Sequence, residues 1–168
     1  MPAMYDASVS TIKRALTNLI HVLEKGAEHA EAKKIDPLVL TGARLFPDMF
    51  PLTRQVYIAT DVARLGIGRI AQAEAPKVED TETTFPELIA RVKKTIEFLD
   101  TLKPAQFDDG ERMVTFPVQK ESKTWPAARY LYGRVIPNVF FHCTTTYNIL
   151  RHNGVDIGKG DFLGPIKD

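Results

Sequence analysis

Apolar residues recur at intervals of three and four along most of this chain, the spacing that places them on one face of an α-helix. In the first such stretch Ile12, Leu16, Leu19, Ile20 and Leu23 form the stripe. Ser10 is placed to cap this helix, which is expected to run to about Lys25. Gly26 is expected to end or loosen it before a polar segment, AEHAEAKKID, that can resume as helix. Asp36 then caps a short helix opening at Pro37, a favourable first position because the missing N–H has no partner there anyway. The prolines of ARLFPDMFPL mark a turn. A long helix follows over 51–73, with Leu52, Val56, Ala59, Ala63, Ile67 and Ile70 in one stripe. Tyr57, Ile58 and Leu65 fall off that stripe, so the helix is apolar on more than one side, as a central or interface helix is.

The segment AEAPKVEDTETTFPE is polar and holds prolines, which predicts a loop. At its end Thr84 and Glu87 have the spacing of a capping box, the threonine oxygen accepting an amide hydrogen bond while the glutamate reaches back. Leu88, Val92, Ile96 and Leu99 then predict a third long helix to about Leu102, stopped by Lys103 and Pro104. Residues 105–125 break the helical pattern. Met113 to Val118 suits a short strand, confined to an edge by Pro117, so this stretch is expected to form an irregular arm or a small hairpin. Pro126 restarts helix through Tyr130 and Leu131. Pro137 begins or kinks the last helix, which ends near His152, where Asn153 and Gly154 tolerate the left-handed conformation. The tail GVDIGKGDFLGPIKD is expected to pack as an ordered extension. Four long helical patterns and one excursion predict an all-α fold, a four-helix bundle forming a single domain over 1–168.

Composition narrows the function classes. The 168 residues suit one domain. Lysine and arginine number 22 against 21 aspartates and glutamates, a formal charge of +1. That balance exerts no pull toward a phosphate backbone, so a nucleic-acid partner is not expected. The lone Cys143 rules out an internal disulfide. No run approaches the roughly 20 apolar residues of a membrane span, and no apolar leader opens the chain. A cytoplasmic protein without a membrane partner is the expectation.

The last helix carries the most chemistry. Taking His142 as zero on an ideal helix, Asn138 falls at about −40°, Val139 at about +60°, Thr145 at about −60°, Thr146 at about +40° and Ile149 near −20°. A histidine, an asparagine and two threonines thus share a stripe with Val139 and Ile149. Polar groups on such a stripe must be hydrogen-bonded, hydrated or functional, because bare burial costs a few kcal/mol each. Two readings of His142 stay open: a satisfied interior histidine, which is the commoner case, or a metal ligand or proton-transfer residue. Gln55 lies near the stripe edge of its helix. Asp61 lies opposite the stripe and can pair with Arg64 one turn on. His21 and His29 read as surface residues, and His152 suits the carbonyl end of its helix. Cys143 projects about 100° from His142, so the two make no nucleophile–base pair, and an inert buried thiol is expected. No HExxH or paired-cysteine pattern occurs.

The string PNVFFHCTTTYNILRHNGVDIGKGDFLG (137–164), with ARLFPDMFPLTRQV (43–56) and EDTETTFPEL (79–88), resembles a bacterial and fungal family of unknown function. That DUF1993-type family is placed in the DinB-like (damage-inducible, YfiT-like) superfamily of candidate metalloenzymes. The resemblance implies a four-helix bundle, often a homodimer, with any site between the second and fourth long helices. Many members of the superfamily hold a divalent metal through three histidines, one from the second helix and an HxxxH pair from the last. Some use it to activate a low-molecular-weight thiol or water. By this resemblance His142 matches the second histidine of the pair, Asn138 stands at the first position, and the helix 51–73 holds no histidine. The metal candidates are therefore His142, Asn138 and Asp61, and the candidate pocket is Gln55, Asn138, His142, Thr145 and Thr146. Such a donor set is not expected to hold zinc or nickel tightly, because those ions favour imidazole and thiolate. Two functions stay open. One is an enzyme-like small-molecule or remnant metal pocket around His142. The other is a non-catalytic homodimeric module using the spare apolar face of helix 51–73.

Overall fold

The computed structural model describes residues 4–165, so the last three residues of the glycine-rich tail lie outside the described part. A π turn, Asp6–Ser10, runs directly into α1 (Thr11–Lys33). α2 (Pro37–Thr41), α3 (Leu52–Ala71) and α4 (Phe85–Asp100) follow. A 3-10 turn, Pro104–Phe107, leads to an antiparallel hairpin of β1 (Met113–Val118) and β2 (Glu121–Pro126). The chain then enters α5 (Ala127–Tyr130), a π turn Leu131–Val135, α6 (Ile136–His152) and α7 (Lys159–Leu163). The protein is mostly helical with one small two-stranded sheet. α1 packs on α4 and α6, and α3 packs on the same two helices. Leu16, Leu23, Leu52, Ile67, Leu88, Leu99 and Leu131 fill the continuous apolar core between them. Among the described residues no helix is long and apolar enough to cross a membrane.

Two expectations about the first helix are corrected. Ser10 has helical angles and makes no capping bond to the backbone, because helical structure already precedes it. Gly26 does not interrupt α1, which continues to a left-handed Lys34. A Cβ at Gly26 would stand 3.0 Å from Phe85 Cε1 and 3.1 Å from Leu150 Cδ2. The residue is small because α1, α4 and α6 converge there, not because the helix ends. Other signals work as read. Asp36 Oδ1 accepts from the Leu38 amide at 2.9 Å, with Pro37 in the first turn. At α4 the Glu87 carboxylate accepts from the Thr84 amide at 2.9 Å, while the Thr84 hydroxyl donates to that carboxylate at 2.9 Å. These bonds hold the Glu87 carboxyl below its ordinary range, the backbone amides of Thr83 and Thr84 contributing most.

α3 is central: it touches α4, α6, α2 and the hairpin, and its stripe from Leu52 to Ile70 is fully buried. Within the hairpin Val114 and Phe116 turn inward, and Phe116 stacks on Tyr130 at 4.3 Å. Pro117 sits in a two-stranded sheet where every strand is an edge, so its missing N–H does not disrupt the ladder. Pro137 is the second residue of α6, as expected for a helix start, although a helical π turn precedes it. At this first-turn position its missing N–H costs little. The tail packs on α1: Asn18 Nδ2 donates to the Phe162 carbonyl at 3.0 Å, and His21 Nε2 lies 2.8 Å from Asp161 Oδ1.

Candidate functional site

Gln55, in the first turn of α3, and His142, in the second turn of α6, meet where these two helices pack. His142 Nδ1 lies 2.7 Å from Gln55 Oε1. The other end of the glutamine amide, Nε2, donates to the Phe50 carbonyl at 3.0 Å. A carbonyl only accepts, so the amide nitrogen must face Phe50 and the amide oxygen must face the ring. Nδ1 therefore carries the proton, and the lone pair stands on Nε2. Nε2 has no protein partner among the described residues, yet it is not sealed: the buried, unpartnered side-chain atom of that set is Arg112 Nε. The imidazole reaches the surface through a narrow window, the residue being 9% exposed. Burial pushes its pKa down to about 4, so it is neutral at physiological pH.

Phe141 stands edge-on to the ring at 5.2 Å and is 56% exposed. Phe50, whose carbonyl orients Gln55, is 44% exposed, and Phe46 in the same turn is 64% exposed. The Phe50 ring carries the Arg54 guanidinium 4.2 Å from its centre.

The remaining candidates distribute unevenly. Thr145 and Thr146 donate to the carbonyls of Phe141 and His142, at 2.8 and 2.9 Å, and so satisfy themselves on their own helix. Asn138 is half-buried one turn before His142, and no hydrogen bond joins them; it lines a separate cleft with Asp61. Asp61 pairs with Arg64 at 2.7 Å, and its Oδ1 also accepts from Arg91 Nη2 at 2.9 Å. Cys143 is buried, and burial pushes its thiol up to about 12, which removes it as a nucleophile.

These donors do not make a metal cage. His142 offers one nitrogen, Asp61 is held by two guanidinium groups, and Asn138 faces another cleft. Among the described residues no group of three His, Cys, Asp or Glu side chains could hold an ion together.

The sequence reading did not single out Arg91. It is 2% exposed on α4, and each of its N–H donors finds an acceptor. Nε donates to Thr60 Oγ1 at 2.8 Å and Nη1 to the Glu79 carbonyl at 2.9 Å and Glu82 Oε2 at 3.1 Å. Nη2 donates to Asp61 and Asp80, both at 2.9 Å. The guanidinium also stacks on Tyr57, 4.7 Å from the ring centre. One side chain thus fixes the acidic loop before α4 to α3. A cleft of about 620 Å³ opens between that loop and α4, walled by Lys77, Glu82, Lys94 and Phe98. The signal was present in the sequence: Arg91 lies on the stripe of Leu88, Val92 and Leu99, preceded by the acidic run EDTE.

The chain is similar over 97% of its length, at 38% identity and a TM-score of 0.91, to a crystal structure of a DinB family member protein from Shewanella denitrificans, 93% of which is covered. The model of the domain of unknown function DUF1993 matches residues 4–163, and the chain belongs to that family. No curated protein matches the sequence.

Proposed function

We propose that this protein is a four-helix bundle of DinB-like type that binds a small molecule at His142, with the neutral imidazole accepting a hydrogen bond at Nε2. The observation that carries this reading is the 2.7 Å contact between His142 and Gln55, together with the Phe50 carbonyl that orients the glutamine. A fixed N–H on one side of the ring and a free lone pair on the other is the arrangement by which proteins aim a histidine at a ligand. A pKa of about 4 makes the ring a weak base at neutral pH, so it suits orienting a ligand hydroxyl, thiol or N–H better than removing a proton. Phe141 beside the ring favours a ligand with an apolar body. For Asp61 to join His142 on a metal it would have to leave Arg64 and Arg91, so the metal chemistry of the wider superfamily has little support from these donors.

A thermal-shift screen of tag-free protein against divalent ions, small thiols and apolar alcohols tests this. Stabilisation by a neutral thiol or alcohol that disappears in His142→Gln supports the reading. No response, or one unchanged in the variant, removes it.

The exposure of Phe46, Phe50 and Phe141 favours a second reading, a non-catalytic homodimer that covers these side chains. Phe141→Glu would then turn a sedimenting dimer into a monomer without loss of helicity.

A further inference from the structure

We propose that the cleft between α3 and the π turn before α6 is a second site, which binds a small organic carboxylate. It is a hollow of about 160 Å³ that neither His142 nor Gln55 lines, so the proposal stands apart from the reading of that histidine. At ~30 Å³ per water it holds several waters' worth of ligand.

Arg69 from α3 and Arg134 from the π turn both line it. Among the described residues neither has a carboxylate partner, although most other buried or half-buried arginine charges of α3 and α4 are paired. Their guanidinium groups are instead positioned by aromatic side chains. Arg69 Nη1 donates to Tyr130 Oη at 3.4 Å, and Arg134 lies 5.6 Å from the Phe116 ring centre. Tyr130 and Phe116 stack on each other at 4.3 Å, so one aromatic pair holds both cations. Asn138, half-buried in the same wall, has no hydrogen-bond partner among the described residues and offers an amide N–H₂. Asp61 is the one acid in the lining, and Arg64 and Arg91 already hold its charge.

Two unpaired forks and an amide facing one hollow match the oxygens of a carboxylate, which guanidinium grips through parallel N–H bonds. The rest of the lining, including Val62, Leu65 and Val135, is apolar and suits a short hydrocarbon body. A bare tetrahedral anion would leave that wall unused. Arg134 lies within the π turn itself, a wider helical turn of the kind often found at functional sites.

Calorimetric titration of the full chain with butyrate, and separately with inorganic phosphate, tests the proposal. Butyrate should bind in the millimolar range or tighter, and more tightly than phosphate. Arg134→Gln and Arg69→Gln should each weaken it by about tenfold or more, the loss of a charge-assisted pair of hydrogen bonds. Arg134→Lys should restore little, because a point charge lacks the fork. His142→Gln should leave butyrate binding unchanged. Should Arg69→Gln fail to fold, the half-exposed Arg134 decides alone. Butyrate binding that is absent, that survives Arg134→Gln, or that phosphate matches would overturn the proposal.

Discussion

Gln55 and His142 are 87 positions apart in the chain and 2.7 Å apart in space, and the glutamine is itself held by the Phe50 carbonyl. The turn ahead of α3 therefore determines which nitrogen of a buried ring on α6 carries the proton. Gln55→Leu would leave Nδ1–H unpaired in a buried setting and should cost about 1–3 kcal/mol in urea unfolding. Gln55→Glu should act oppositely on the ring, because an adjacent carboxylate favours imidazolium and raises its pKa.

Acid should weaken the fold through the same residue. An unfolded histidine takes its proton near 6.5, whereas His142 in the fold does so only at about 4. Between those values the unfolded chain binds more protons, so stability rises with pH there. The contribution is complete above 6.5 and is lost as pH falls toward 4. Its size is on the order of 3–4 kcal/mol, since the two values lie about 2.5 apart and each pKa unit is worth about 1.4. Unfolding free energies of wild type and His142→Gln, measured across this range, should diverge by that amount.

Arg91 should be the most sensitive charged position on α4. Arg91→Met removes the partner of Asp61, Asp80 and Glu82 and unties the loop before α4, at about 3 kcal/mol. Arg91→Lys should recover little of it, because lysine cannot serve acceptors on several sides at once. Urea denaturation of the two variants measures both effects.

Gly26 should tolerate no large side chain. Its neighbours Phe85 and Leu150 are both buried, with atoms 3.0 and 3.1 Å from where a Cβ would be. Gly26→Leu should therefore destabilise the protein by about 1–3 kcal/mol through overpacking, despite leucine's better helix propensity. Thermal melting by circular dichroism checks this.

The helices were legible because their stripes are periodic, and Asp36 and Glu87 announced two of the starts. Gly26 misled because the same residue serves helix ends and close helix crossings, and only tertiary packing tells these apart. The hairpin stood only as one of two alternatives because Glu121–Pro126 carries no apolar alternation: most of it faces solvent and it forms by pairing with β1. At the site, helical geometry placed His142 inward and Gln55 near the stripe edge, and the two side chains meet at 2.7 Å. The angular reading could not show that Asn138, only about 40° away, faces a different cleft, because the packing of α3 and the hairpin divides that side of α6. Arg91 went unread because a charge on an apolar stripe identifies its partners only once the loop folds over it.

The ring of His142 offers the most direct test. Nitrogen-15 NMR across acidic pH should show the proton on Nδ1 throughout the neutral range, with titration at about 4. A ring that titrates near its ordinary 6.5, or that carries its proton on Nε2, would contradict the account.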